Sequence, residues 1–155
     1  MKNQTVFVKV SGDLLNSPAF LKKLEEIGRN VLKLVICVGG GTQINEALTQ
    51  AGFKVGKHGP LGRELKTTEE RQIAKDVLNR NCAELRDYVN ATALGADVII
   101  PVLGLGGVIC HVNGDLFVKA VYNGFDRLYV FTMKDRVVAK AKEFNHLPKV
   151  RIIGL

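Results

Sequence analysis

Several features that mark membrane, secreted or metal-binding proteins are scarce or missing in this sequence. No apolar run approaches the ~20 residues that a membrane-spanning helix needs. The N-terminal residues include one lysine but no apolar segment of signal-peptide length. The three cysteines, Cys37, Cys82 and Cys110, are odd in number and far apart, and no C-x-x-C pair occurs. The sequence therefore predicts a cytoplasmic protein with reduced thiols and without membrane contact, disulfides or a metal site.

Aromatic residues are also few, whereas basic residues are plentiful. Seven Phe, three Tyr and no Trp accompany 22 Lys and Arg residues, and the formal net charge is +7. The basic residues are dispersed along the chain, while RNA-binding surfaces usually combine a basic stripe with interleaved aromatics. The charge favours an anionic partner. A small anionic metabolite is the first prediction, and nucleic acid is an alternative that the net charge leaves open.

One segment in the first third of the chain combines a strand, a glycine turn and a helix. Residues 34–38 form a continuous apolar run, typical of a strand buried on both faces of a parallel sheet. Gly39, Gly40 and Gly41 follow, and Thr42 begins a helical pattern. Three glycines let an anion approach backbone N–H groups at the positive end of the helix. The segment predicts anion binding, and the alternative interpretation is an ordinary tight turn.

The rest of the chain alternates between strand and helix patterns. Further strands are predicted at residues 6–10, 98–102, 127–132 and 150–153, with a short strand or hairpin arm at 109–112, and helices at 18–28, 68–88, 116–122 and 135–144. This alternation predicts one α/β domain over residues 1–155, with a doubly wound, mainly parallel sheet and helices on both faces. Ligands of such sheets lie at the carboxyl ends of the strands. The turns at 11–13, 39–41 and 104–107 are expected to meet there.

Four segments, in this order along the chain, resemble motifs of the amino acid kinase superfamily, and acetylglutamate kinase most of all. These segments are Lys9-Val10-Ser11-Gly12, the run from Val38 to Asn45, Gly62-Arg63 with the helix that follows Thr67, and Val112-Asn113-Gly114-Asp115. The resemblance implies a kinase that transfers phosphate from ATP to a carboxylate or phosphate acceptor, with Mg²⁺ as a second cofactor. It also implies a homodimer, for which the long helix at 68–88 is a candidate contact.

The resemblance also implies roles for individual residues. Lys9 and Asp115 would be catalytic, and Lys9, Ser11 and Gly12 would contact ATP. Gly39, Gly40, Gly41, Arg63 and Asn113 would bind the acceptor substrate. Read without the resemblance, Lys9 and Arg63 are surface charges, and Asn113-Gly114-Asp115 is an ordinary turn sequence.

The chain also departs from the family pattern. It is shorter than members of the family, lacks most of their nucleotide-binding half, and so would have a reduced C-terminal half. The Gly-Gly-Met segment with its catalytic lysine is absent, and Lys134 or Lys140 is the candidate substitute. His111 stands where the family often has an asparagine. The alternative function is therefore a non-catalytic binding or regulatory protein of the same fold that binds a small anionic metabolite.

Overall fold

Five parallel strands form the central sheet of the protein, for which a computed structural model describes residues 3–155. In sheet order the strands are β5 (Ala96–Ile99), β2 (Lys33–Val38), β1 (Thr5–Val10), β8 (Arg127–Thr132) and β9 (Val150–Gly154). Two small antiparallel hairpins accompany the sheet: β3 (His58–Gly59) with β4 (Gly62–Arg63), and β6 (Val102–Leu105) with β7 (Val108–His111). The α-helices are α1 (Pro18–Gly28), α2 (Gly41–Gln50), α3 (Thr68–Ala91), α4 (Gly114–Val121) and α5 (Val137–Glu143).

Alternation along β1 divides the core between the two faces of the sheet. Val6, Val8 and Val10 pack in a cluster with residues of α1 and α3. Phe7 lies in a second cluster with Val118 of α4, Phe144 just after α5 and residues of β8 and β9. Because successive strand residues point to opposite faces, helices cover both sides of the sheet. The predicted α/β class with a mainly parallel sheet is confirmed.

Polar side chains begin three of the five helices. The hydroxyl of Ser17 accepts a hydrogen bond from the Phe20 amide, and Pro18 occupies the first turn of α1. Thr67 and Glu70 form a reciprocal capping box at α3. The side chain of Asn113 caps α4. Such caps satisfy backbone N–H groups that the helix itself leaves without partners. The helix starts that the sequence indicates at Ser17 and Thr67 are confirmed.

The predicted strand at 98–102 is wrong in its second half. Strand β5 ends at Ile99, and Val102 begins the separate hairpin of β6 and β7. Pro101 cannot donate a ladder hydrogen bond, so the chain leaves the sheet there. The glycine turn at 104–107 consequently lies at the tip of this hairpin, where Gly106 and Gly107 adopt positive φ. It does not join the other two glycine turns at the end of the sheet, as the sequence had suggested.

Long apolar helices of the membrane-spanning kind do not occur among residues 3–155.

Candidate functional site

A cavity of about 270 Å³ opens at the carboxyl ends of the central strands. Lys9 near the end of β1, the Ser11–Asp13 turn, the glycine turn after β2 and Thr132 at the end of β8 all line it. The β3–β4 hairpin and the segment from His111 to Asp115 form other parts of the wall. This is where a parallel α/β sheet places a ligand, because strand ends and helix starts meet there.

The glycine turn lines this cavity, and its first two glycines pack closely against neighbouring residues. A Cβ on Gly39 would lie 3.0 Å from the Val10 carbonyl oxygen, and one on Gly40 would lie 3.1 Å from the amide nitrogen of Asn81. Gly41 begins α2, and no side chain caps this helix. The first N–H groups of α2 are therefore available at the cavity wall, where the helix dipole favours negative charge.

Arg63 is held at the cavity by two acceptors near the start of α2. Its Nη1 donates to the side-chain oxygen of Asn45, and its Nη2 donates to the Gly41 carbonyl oxygen over 3.1 Å. Burial lowers the pKa of Arg63 from its usual value, but an arginine still carries its charge at neutral pH. Part of the guanidinium fork therefore stays oriented beside the glycine turn, with N–H groups left for a carboxylate.

Gly62 brings the hairpin that carries Arg63 against the start of α4. Its φ is +105°, a conformation that favours glycine. A Cβ at this position would lie 2.7 Å from the Cβ of Asn113. The Gly-Arg pair that the sequence singled out is therefore explained in part by packing, because the glycine allows the close approach that positions the arginine.

Two lysines and one carboxylate meet on the other side of the cavity. Lys140 of α5 donates a hydrogen bond to Oδ2 of Asp115, and Lys9 lies 3.7 Å from Oδ1 of the same carboxylate. The side chain of Asp115 is only 9 % exposed, so these charges interact in a partly desolvated place. Burial alone would lower the pKa of Lys140, but the hydrogen bond and charge of Asp115, assisted by Glu143, outweigh burial and raise it.

Asn113 acts first as a helix cap. Its side-chain oxygen accepts hydrogen bonds from the backbone N–H groups of Asp115 and Leu116, at 2.9 and 3.4 Å. This assignment leaves the Nδ2 group of Asn113 as a donor at the cavity wall. The helix cap thus fixes which end of the amide a ligand meets.

Two histidines also line the cavity, and the lowered pKa of each favours its neutral form at pH 7. Burial lowers the pKa of His58, and the charges of Arg63 and Lys140 lower it further. Burial is likewise the main cause that lowers the pKa of His111. Nε2 of His111 lies 2.9 Å from the Arg71 carbonyl oxygen, which can only accept, so the proton resides on Nε2 and Nδ1 keeps its lone pair.

Every residue that the sequence singled out for the site lines this one cavity, namely Lys9, Ser11, Gly12, Gly39, Gly40, Gly41, Arg63, Asn113 and Asp115. Which of them contact a ligand stays a prediction. Sequence reasoning missed Arg136, which lines the same cavity. It also missed Asn45, which holds Arg63. Asn81 was missed although a signal existed, since it is a polar residue on the apolar stripe of α3.

No group of three or more His, Cys, Asp or Glu side chains within residues 3–155 is arranged to hold a metal ion.

Comparison with known proteins gives a likeness of fold. No protein-family model matches the chain, and no curated protein sequence matches it. A solved structure of N-acetylglutamate synthase from Neisseria gonorrhoeae, complexed with coenzyme A and N-acetylglutamate, is similar to it with a TM-score of 0.55 and 13 % sequence identity. The similar region covers 85 % of this chain and 42 % of the synthase chain, so this protein spans less than half of its neighbour. At this identity the likeness shows the fold alone.

These findings correct the assignment to the amino acid kinase superfamily. The neighbour is a synthase and not a kinase, and no family model supports the resemblance. The predicted phosphoryl transfer is wrong on the same finding. The predicted cofactors ATP and Mg²⁺ are also wrong, because the neighbour's ligands are coenzyme A and N-acetylglutamate. The physical reason is that a strand, glycine turn and helix create an anion site without defining its chemistry.

Proposed function

We propose that this protein binds a small carboxylate metabolite, of the size of an N-acylated acidic amino acid, in the cavity at the carboxyl ends of its sheet. The observation that carries the proposal is the excess of positive charge there. Four cationic side chains, Lys9, Arg63, Arg136 and Lys140, line the cavity with only two carboxylates, Asp13 and Asp115. The uncapped start of α2 adds backbone donors and a favourable dipole.

The arrangement suits a ligand with two anionic groups. Arg63 and the start of α2 form one cationic region, and Lys9 with Lys140 forms another that is only partly neutralised by Asp115. A carboxylate would engage the planar fork of Arg63, whereas the lysines act as point charges and accept many anion geometries. The N-acetylglutamate bound by the structural neighbour is a dicarboxylate of this kind.

The size of the cavity limits what else can bind. A volume of about 270 Å³ lies just below the roughly 300–1,000 Å³ of common small-molecule pockets, so a metabolite of amino-acid size fits. Coenzyme A, with its nucleotide and long pantetheine arm, is several times larger than N-acetylglutamate. The cavity of about 270 Å³ is small for such a ligand, and no acetyl-transfer step is proposed for this chain.

Calorimetric titration tests the proposal. The purified protein is titrated with N-acetylglutamate, with N-acetylglutamine as a ligand of similar shape and one less charge, and with inorganic phosphate. We expect N-acetylglutamate to bind most tightly and Lys9→Ala to weaken it. Equal binding of the two acylated amino acids would contradict the need for two anionic groups. Absence of heat with all three at millimolar concentration would overturn the proposal.

Three earlier expectations stay predictions beside this proposal: the single domain, the homodimer and the cytoplasmic location. Nucleic acid is the alternative partner, which the net charge of +7 would also favour. Binding to duplex or single-stranded oligonucleotides with a steep dependence on salt, and no binding of the acylated amino acids, would favour it.

A further inference from the structure

Asn81 is a polar side chain in an apolar position. It lies on the face of α3 that also carries Val77 and Leu85, and it is 7 % exposed. Burying an amide group is costly unless it forms hydrogen bonds. The Nδ2 group of Asn81 donates to the Gly39 carbonyl oxygen over 2.9 Å, across 42 positions of sequence. The one buried asparagine of α3 is thus bonded to the glycine turn of the cavity.

This hydrogen bond fixes the direction of one peptide group. The Gly39–Gly40 peptide is trans, since residues 3–155 contain no cis peptide, and its C=O and N–H groups therefore point in opposite directions. Asn81 holds the carbonyl oxygen on the side of α3. The Gly40 N–H consequently points away from α3, and within the described residues it donates to no backbone or side-chain acceptor. Gly40 itself lines the cavity.

The hydrogen bond from Asn81 to the Gly39 carbonyl affects the orientation of this peptide because both flanking residues are glycines. Glycine populates conformations of either sign of φ with similar ease, so a Gly–Gly peptide has little intrinsic preference for one orientation. Rotation of this peptide would bring the carbonyl oxygen of Gly39 to the place of the Gly40 N–H. An acceptor would then face the anion in place of a donor.

We propose that Asn81 is a positioning residue that directs the Gly40 N–H into the cavity, where this group donates a hydrogen bond to an anionic oxygen of the bound carboxylate. The proposal rests on the proposed function, because it assumes that an anion binds beside the glycine turn. It assigns the recognition of that anion to three sources: Arg63, the first turn of α2 and the peptide that Asn81 holds.

The test compares two asparagines of the same helix. Asn81→Ala removes the donor to Gly39, whereas Asn79→Ala changes an exposed asparagine two positions away. The affinity of each variant for N-acetylglutamate is measured by calorimetry, and folding is checked by urea unfolding. We expect at least tenfold weaker binding for Asn81→Ala, with cooperative unfolding retained, and unchanged binding for Asn79→Ala. Asn81→Asp has nearly the same shape but cannot donate when ionised, and its expected loss is at least as large.

The amide signal of Gly40 provides a readout that a purely structural role of Asn81 would not move. In the ¹⁵N-labelled wild type, N-acetylglutamate should shift the Gly40 proton resonance downfield, and this shift should be missing in the Asn81 variants. Wild-type binding without a Gly40 shift, or equal affinity of the wild type and Asn81→Ala, overturns this inference alone. Absence of wild-type binding overturns the proposed function and the inference with it. If neither Asn81 variant folds, the shift of the Gly40 resonance in the wild type decides whether the Gly40 N–H contacts the ligand.

Discussion

Lys140 donates a hydrogen bond to the carboxylate of Asp115, although 25 positions separate the two residues. The pair joins α5 to the first turn of α4, and Asp115 faces Lys9 of β1 with its other oxygen. One carboxylate therefore connects two helices and a strand at the edge of the cavity. It also holds two ammonium groups beside the space that the ligand would occupy.

Asp115→Ala is expected to lower the free energy of unfolding and Lys140→Ala to lower it less. Removing Asp115 leaves Lys9 without an ion-pair partner among residues 3–155 and Lys140 with Glu143 alone, whereas removing Lys140 leaves Asp115 paired with Lys9. Loss of one partner of a fully buried pair costs about 3–5 kcal/mol, and we expect about 2 kcal/mol here because Lys140 is partly exposed. Urea unfolding measures the free energy of unfolding of both variants. Lys142→Ala, at an exposed position of the same helix, is the control. A larger loss of stability in Lys140→Ala than in Asp115→Ala would contradict the connecting role of Asp115.

Arg63→Lys is expected to weaken binding of N-acetylglutamate by about tenfold or more, which corresponds to ~1.4 kcal/mol. Lysine keeps the charge but loses the planar fork and cannot donate to Asn45 and Gly41 in the same geometry. Stability should change little because Arg63 is only half-buried. Calorimetry measures the affinity, and the exposed Arg80→Lys is the control. Full affinity in Arg63→Lys would mean that only the charge matters.

Glycines of the site should differ sharply in their tolerance of alanine. A Cβ on Gly12 would lie 2.4 Å from Oε1 of Gln43 and 2.8 Å from the Gly40 Cα, whereas one on Gly41 would have only the Arg63 Nη2 at 3.9 Å. Gly12→Ala should therefore cost about 1–3 kcal/mol of stability through overpacking. Gly41→Ala should fold with the stability of the wild type or slightly above it, since alanine is the better helix residue. Equal urea midpoints of the two variants would show that the Ser11–Asp13 turn has room for a Cβ at Gly12.

Stability should fall in mildly acidic solution because of His111. The pKa of its imidazole is lowered in the folded state, mainly by burial, with smaller contributions from the charges of Arg71, Arg63 and Lys75. The unfolded chain then binds more protons, so stability is complete above the ordinary histidine pKa of about 6.5 and is lost as pH falls from there through the folded-state pKa. His111→Gln should flatten the stability curve below about pH 6.5, as measured by urea unfolding.

The control variant is His146→Gln, which makes the same substitution at an exposed position. His58 is expected to contribute in the same direction as His111, because its pKa is also lowered. A curve that is equally steep in the wild type and in a variant lacking both cavity histidines would contradict the assignment.

The sequence predicted the sheet well because buried parallel strands and helix starts have local signatures. The apolar run of β2, the caps at Ser17 and Thr67 and the glycine turn could all be recognised without tertiary information. The contact between Asp115 and Lys140 could not, since periodicity along each helix does not tell how α4 and α5 lie relative to each other. The early end of β5 was recognisable from Pro101 and was overlooked.

The chemistry was harder to predict than the fold. Glycines at 39–41 resemble a kinase motif, but packing against Val10 and Asn81 explains two of them without any phosphate. Only the meeting of Lys9, Arg63, Arg136 and Lys140 in one cavity distinguishes an anion site from a tight turn. Those four residues come from elements far apart in sequence, so the proposed function rests on the site more than on the motif.

The measurement that tests the central claim most directly is a map of amide chemical shifts during titration of the ¹⁵N-labelled protein with N-acetylglutamate. The account predicts saturable changes confined to the cavity wall, strongest at the glycine turn and the first turn of α2, and greatly reduced in Arg63→Ala. Changes centred on another surface, or none at millimolar ligand, would contradict the claim that this cavity binds a small carboxylate.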